Sequence, residues 1–184
     1  MKKVKPKVLF SKEEIQKRTK ELGHEISEYF KKNLQEDDSL IVIGVLKGAY
    51  IFTADLVREL DVAAQIEFVR IASYGDNTQS SNVIKAPDLS LPSNIYGKNI
   101  LLVEDIVDTG QTSAFLKKYI EEQFKPSKLV LVSLLNKPSR REVQIEPDFY
   151  GFEIEDKFVI GYGLDFAEKY RELDYLGELE GRLS

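Results

Sequence analysis

The chain has 184 residues, 42% of them apolar and 31% charged, with Lys+Arg at 26 against Asp+Glu at 31 and a net charge of −5. This is a globular composition, sized for one domain over residues 1–184, and a pI near 5.1 argues against a broad basic face for nucleic acid. Cysteine is absent and His24 is the single histidine, which excludes disulfides, thiol nucleophiles and thiolate metal sites and argues strongly against a His-dependent triad or a multi-histidine zinc site.

The N-terminal MKKVKPKVLF is basic, with Lys2, Lys3, Lys5 and Lys7 read as a solvated tail. It lacks the apolar run of a signal peptide, so a cytoplasmic protein with no membrane partner is expected. Ser11-Lys12-Glu13-Glu14 is a capping-box pattern, and Ile15, Leu22, Ile26, Tyr29 and Phe30 recur at helical spacing. Together they predict an amphipathic helix from Ser11 to about Asn33, with His24 on or near its apolar side in a structural role. Leu40 to Val45 is a short β-branched apolar run and reads as a buried strand. The apolar stretch to Leu46 is too short to cross a bilayer. After the break at Lys47-Gly48, Ala49 to Leu60 reads as a helix. Gln65 to Ala72 alternates, setting Ile66, Phe68 and Arg70 against Glu67, Val69 and Ile71, and reads as a strand.

Residues 73–98 are rich in Ser, Asn, Asp, Pro and Gly with no clear period, the composition of a functional lid or a disordered segment. Asn99 to Val103 is a second buried strand, and Thr112 to Phe124 a helix stopped by Pro126. Lys128 to Leu135 is a third apolar strand, followed by shorter strands at Phe149–Ile154 and Phe158–Gly161. Strands alternating with helices at these lengths imply an α/β fold, a mostly parallel sheet flanked by helices on both faces. Ligands then bind beyond the carboxyl ends of the strands, on the loops leaving Val45, Val103 and Leu135.

The loop after Val103 is the most informative. Glu104-Asp105-Ile106-Val107-Asp108 carries three acids, and Thr109-Gly110-Gln111-Thr112 opens a helix. Small and hydroxyl residues at a helix N-terminus suit a monophosphate, while the acids suit sugar hydroxyls or a Mg²⁺. A phosphorylated sugar satisfies both. An acidic strand end with an Asp N-cap is also compatible with the string. A haloacid dehalogenase-type nucleophile loop fits less well, because it wants Asp-x-Asp near the first strand and this is Asp105-x-x-Asp108 in mid-chain. No Walker string occurs.

VEDIVDTGQT resembles the phosphoribosyl-pyrophosphate (PRPP) motif of type I phosphoribosyltransferases, and the resemblance runs from about Leu9 to Leu176. Leu46-Lys47-Gly48-Ala49 is similar to the family's pyrophosphate loop, and Arg70 to Gly75 to the start of its mobile loop. Leu134 to Lys137, Pro147 to Ile154 and Asp156 to Phe166 resemble its hypoxanthine-guanine branch. The resemblance implies a small hood built from the chain termini beside the sheet. It implies transfer of the phosphoribosyl group of PRPP to hypoxanthine or guanine, a Mg²⁺ cofactor, a homodimer or homotetramer and no nucleic-acid partner.

Carried over residue by residue, the resemblance makes Asp108 the acid beside purine N7. Glu104 and Asp105 would take the ribose hydroxyls, directly or through metal, and Asp108, Thr109, Gly110, Gln111 and Thr112 the 5′-phosphate. Lys47, after a bond that can be cis in the family, would meet the pyrophosphate with Gly48 and Arg171. Lys137, Phe158, Val159 and Asp165 would form the purine side, with Asp165 also on the metal. Ser73 and Tyr74 would head the lid. Gln111 and Ala72 stand where many or some relatives have lysine. A xanthine-preferring enzyme and a PRPP-sensing regulator are the competing readings. The 10 residues before the first helix leave a regulator no room for a DNA-reading domain.

Overall fold

The computed structural model describes residues 6–32, 34, 38–71 and 91–179. Ser73, Tyr74 and the expected lid up to residue 90 lie outside these residues; its last part, 91–98, is described and buries Ile95. The elements run β1 (Lys7–Phe10), α1 (Lys12–Lys31), β2 (Leu40–Leu46), α2 (Tyr50–Arg58), β3 (Ala64–Arg70), β4 (Asn99–Val107), α3 (Gln111–Phe124), β5 (Lys128–Asn136), β6 (Phe149–Glu153), β7 (Val159–Ile160) and β8 (Leu176–Glu178). Both halves of the capping box form at the start of α1. Ser11 Oγ accepts from Glu14 N at 3.3 Å, and Glu14 Oε2 accepts from Ser11 N at 2.8 Å.

The main sheet has the order β3-β2-β4-β5-β6, and every pairing in it is parallel. Successive side chains of a strand face opposite ways, so each central strand feeds two cores. Leu40 and Val42 of β2, Leu101 and Val103 of β4, and Val130 and Val132 of β5 pack with Ile15, Leu22 and Ile26 of α1 and Phe52 and Leu56 of α2. Ile41, Ile43, Ile100, Leu102 and Leu131 pack on the other face with Leu116 and Ile120 of α3. Because both faces are covered, β2 reads as an unbroken apolar run. Arg18 of α1 donates to the carbonyls of Tyr150 and Gly151 at 2.9 and 3.1 Å, tying the helix to edge strand β6.

Several expectations change. The strand expected to end at Val103 continues to Val107, because Glu104, Ile106 and Val107 pair in register with Ser133, Leu135 and Asn136 of β5. Glu104 and Asp105 are therefore strand residues. Lys7, read as part of a tail, lies in β1, and β1, β8 and β7 form a second, antiparallel sheet. It joins both ends of the described chain, the arrangement expected of a hood, and Lys7 pairs with Glu178 there. The strand expected over Phe158–Gly161 is only Val159–Ile160. In β3 the face carrying Ile66 and Phe68 is exposed while Val69 is buried. His24 is exposed, between inward-facing Gly23 and Ile26.

Candidate active site at the carboxyl ends of the parallel strands

The chain leaves β2 on one side for β3 and later returns on the other side as β4. Where connections diverge in this way, a crevice opens beyond the strand ends. It is a cleft of about 650 Å³, lined by Lys47, Gly48, Arg70, Glu104, Asp105, Asp108, Thr109, Gly110, Thr112, Ser113, Asp165, Glu168 and Arg171 among others.

Three backbone segments meet at one wall. The Leu46–Lys47 peptide is cis. A Cβ on Gly48 would overlap the Asp105 carboxylate, and one on Gly163 (φ +103°) would overlap the Gly48 carbonyl oxygen. Glycine is required at both positions because the Asp105 side chain packs directly on the Lys47-Gly48 turn, and the 161–171 loop meets that turn backbone to backbone. Tyr162, Ala167, Glu168 and Tyr170 in that loop also have positive φ. Such residues persist only where surrounding contacts hold them, and they concentrate at functional sites.

Alternation along β4 separates the paired acids. Glu104 shares the face of Ile100 and Leu102, toward α3, and its Oε1 accepts from Ser113 Oγ at 3.2 Å. It is 3% exposed. Burial, reinforced by Asp105, lifts its pKa well above the ordinary range, against the opposing Ser113 bond. Asp105 shares the face of Leu101 and Val103, toward Gly48. Burial raises its pKa to about 6, with the Ile106 backbone N–H and Arg171 opposing and Asp165 adding repulsion. Neighbouring carboxylates out of bulk water are poised to receive hydroxyl donors or a cation.

β4 and β5 end side by side, so Asp108 and Lys137 leave adjacent strand ends. Lys137 is 6% exposed, and its Nζ donates to the Lys157 carbonyl at 2.9 Å while standing 3.9 Å from Asp108 Oδ2. Arg140 Nε is 3.6 Å from Asp108 Oδ1. That oxygen is buried with no hydrogen-bond partner, and one carboxylate oxygen faces Arg140 and the other Lys137. Phe158, next to Lys157, is 48% exposed and meets Phe166 edge to face at 5.7 Å. Val159 is buried in β7.

Opposite them, Asp165 Oδ1 pairs with Arg171 Nη2 at 2.8 Å and Asp165 Oδ2 accepts from Glu168 N at 2.8 Å. Arg171 Nη1 donates to the Gly163 carbonyl at 2.7 Å, and its Nε is buried and unpartnered. Glu168 Oε2 bridges Lys47 Nζ at 2.8 Å and Arg171 Nη2 at 3.6 Å. Lys47 and Arg171 thus converge beside Gly48, with Glu168 pairing both cations. α3 begins at Gln111 after Gly110 (φ +83°) with no side-chain cap. Its first-turn N–H groups lack intrahelical partners and face the Thr109–Ser113 end of the cleft.

Of the residues expected at the site, Lys47, Gly48, Glu104, Asp105, Asp108, Thr109, Gly110, Thr112, Asp165 and Arg171 line the cleft itself. Lys137, Phe158 and Val159 are not in that lining; Lys137 stands 3.9 Å from Asp108 and reaches the Lys157 carbonyl, which precedes Phe158 and Val159. Gln111 turns away, its side-chain amide donating to Glu142 Oε2. Sequence reasoning missed Glu168, Arg141 and Tyr162. Tyr162 donates from its hydroxyl to Asp55 Oδ2 of α2, and burial, then Asp55, pushes its pKa up. Nothing local in the sequence marks these residues, because each also has a partner on a distant segment, Lys47 for Glu168, Val107 and Asp108 for Arg141 and Asp55 for Tyr162.

The chain matches the family model for the phosphoribosyl transferase domain over residues 11–167. It is 45% identical over 175 residues to a hypoxanthine-guanine phosphoribosyltransferase of Bacillus subtilis strain 168, covering 95% of this chain and 93% of that protein. It is 38% identical to the hypoxanthine phosphoribosyltransferase of Escherichia coli K12, covering 94% of each. Among solved structures, the hypoxanthine phosphoribosyltransferase of Trypanosoma cruzi in complex with the product IMP superposes with a TM-score of 0.83 at 36% identity. That match covers 100% of this chain and 99% of that one.

Proposed function

The chain belongs to the phosphoribosyl transferase family, and we infer from that membership and the cleft's chemistry that it transfers the phosphoribosyl group of PRPP to hypoxanthine and guanine. The products are IMP or GMP and pyrophosphate, as purine salvage requires. The observation that carries the assignment of roles is the adjacency of the Asp108 carboxylate and the buried Lys137 ammonium, 3.9 Å apart, Asp108 lining a cleft that also gathers Lys47, Gly48 and Arg171.

In the reaction the C1′–O bond to pyrophosphate breaks and a C1′–N9 bond forms, through an oxocarbenium-like state of the kind seen in glycosidic cleavage. The purine must lose a proton as its nitrogen bonds to carbon. The Asp108 carboxylate, which lines the cleft, accepts that proton, or its hydrogen bond, at N7. Lys137 Nζ, already held by the Lys157 carbonyl, donates to the 6-oxo group. Adenine has no acceptor there, so one lysine discriminates against it. Phe158 stacks on the base, with Val159 offering main-chain groups to its edge. Glu104 and Asp105 take the ribose hydroxyls, Asp108 to Thr112 the 5′-phosphate. Lys47, Gly48 and Arg171 receive the departing pyrophosphate, displacing Glu168 from its cations.

The donor set fits Mg²⁺. Asp165, backed by Glu104 and Asp105 across the cleft, offers only hard oxygens. Among the described residues no group of three or more His, Cys, Asp or Glu could hold a metal by itself. The remaining ligands would be substrate oxygens, the usual arrangement for this ion. When bound, it neutralises leaving-group charge.

Assembly into a homodimer or homotetramer belongs to the same reading, supported by exposed Ile66 and Phe68 on β3, an edge strand among the described residues. So does a cytoplasmic location, since PRPP is too highly charged to cross a bilayer. No helix among the described residues is long and apolar enough to span one. The decisive assay is PRPP-dependent nucleotide formation with hypoxanthine, guanine, xanthine and adenine. Turnover of the first two with release of pyrophosphate is expected. No product with either would overturn the reading.

A further inference from the structure

We propose that Arg141, outside the cleft, is the positioning residue that shapes the phosphate loop and sets Asp108 against Lys137; this rests on the function inferred above. Its guanidinium is almost closed to solvent, with 10% of the side chain exposed. Nη1 donates to the carbonyl of Val107 at 2.8 Å and to the carbonyl of Asp108, while Nη2 donates to Asn136 Oδ1. On the far side Nε and Nη2 meet the two oxygens of Glu146 at 3.3 Å each. Asn136 Nδ2 reaches the same carboxylate at 3.4 Å, closing the network.

Val107 ends β4 and Asn136 ends β5, and the two are register partners. One planar fork therefore clamps the adjacent strand ends from which Asp108 and Lys137 emerge. Val107's carbonyl also accepts from Lys137 N at 3.0 Å, so both residues of the base-recognition pair hang on the same group.

The second consequence concerns the phosphate loop. The Val107–Asp108 and Asp108–Thr109 peptides are trans, the one cis bond among the described residues being Leu46–Lys47. In a planar trans peptide the carbonyl and the N–H point to opposite sides. Holding the carbonyls of Val107 and Asp108 outward, away from the cleft, turns the N–H groups of Asp108 and Thr109 to the other side. Asp108 and Thr109 line the cleft, and Arg141 does not. The segment behind also packs on the loop. A Cβ on Gly110 would meet Ile145 Cγ2 at 2.5 Å and Arg141 Cδ at 3.0 Å, and Glu142 N donates to the Thr109 carbonyl at 2.9 Å. A lysine at 141 would keep the charge but could not span both carbonyls and Asn136 with one fork.

The test compares wild type, Arg141→Lys and Arg141→Met for kcat, for KM of PRPP and hypoxanthine, and for equilibrium binding of IMP against inosine, which lacks the phosphate. Arg141→Lys should raise the PRPP KM about tenfold or more, the scale of a lost hydrogen bond to a charged group. It should lower the IMP-to-inosine affinity ratio by a similar factor and cut kcat. Simple loss of folded protein would lower activity without moving KM or that ratio. A folded Arg141→Lys variant with an unchanged PRPP KM and an unchanged ratio overturns the proposal. If neither Arg141 variant folds, Glu146→Gln carries the test, since Glu146 is 61% exposed. It should shift both quantities in the same direction by a smaller factor, and no shift overturns the proposal. Wild-type turnover, measured alongside, separates this failure from failure of the transferase reading, in which the parent itself would make no IMP.

Discussion

Replacing Asp105 by Asn should stabilise the ligand-free protein at neutral pH while damaging its activity. Burial lifts the Asp105 carboxyl to about 6 from an ordinary 3.8, so the folded chain binds this proton more tightly than the unfolded chain. The carboxyl is therefore neutral and harmless below about pH 4. Between pH 4 and 6 the unfolded chain releases the proton first, so stability falls as pH rises. Above about pH 6.5 the full penalty applies. At 1.36 kcal/mol per pKa unit the gap of 6 − 3.8 amounts to at most about 3 kcal/mol. The amide keeps an acceptor for the Ile106 N–H, now 3.0 Å from Oδ1, and carries no charge to desolvate. For a chain of this size about 1 kcal/mol moves Tm by roughly 2–4 °C. The assay is thermal unfolding of both proteins by circular dichroism at several pH values, without metal or nucleotide. The variant should melt several degrees higher at pH 7.5 and within a degree or so of the parent near pH 4. Adding PRPP and Mg²⁺ should narrow or reverse the difference, because the parent alone keeps its carboxylate for ribose or metal. A variant less stable than the parent at pH 7.5, or a difference independent of pH, would refute the argument that Asp105 is held charged against its burial.

Asp108→Asn should lower kcat by about 10²–10⁴-fold, as removal of a general base does, with little change in PRPP KM; steady-state kinetics with hypoxanthine decide it, and wild-type kcat would remove Asp108 from the chemistry. Lys137→Ala should raise the purine KM by roughly tenfold or more, the worth of a charge-assisted hydrogen bond, far more than it raises the PRPP KM. Asp165→Asn should increase the Mg²⁺ concentration needed for half-maximal rate, and EDTA should abolish activity of the parent; full activity in metal-free buffer contradicts both. Gly48→Ala, whose new methyl would overlap the Asp105 carboxylate, should cost about 1–3 kcal/mol of stability by overpacking together with most of the activity, and an unchanged melting curve would mean that the turn yields freely.

Local patterns fixed the elements whose character is local. The capping box and spacing of α1, the apolar run of β2, and Pro126 after the left-handed Lys125 that ends α3 were legible because each depends on neighbours within a turn or two. The Glu104–Thr112 string stood out as a candidate phosphate-and-sugar loop for the same reason, since its acids, hydroxyls and helix N-terminus are consecutive. Only pairing with β5 decided that Glu104 and Asp105 sit in a strand, on opposite faces. Their raised pKa values follow chiefly from that burial, which no feature of their own segment announces. β1 and β8 were illegible because a three- or four-residue strand has too few positions to show a period and exists through its partner alone. Glu168 and Tyr162 belong to the same class, one pairing with Lys47 and the other with Asp55 across more than 100 residues of chain. Arg141 is separated from the carbonyls it holds by 33 and 34 residues. Sequence states which groups a chain possesses, but a hydrogen bond between remote segments exists only once the sheet has brought its strand ends together.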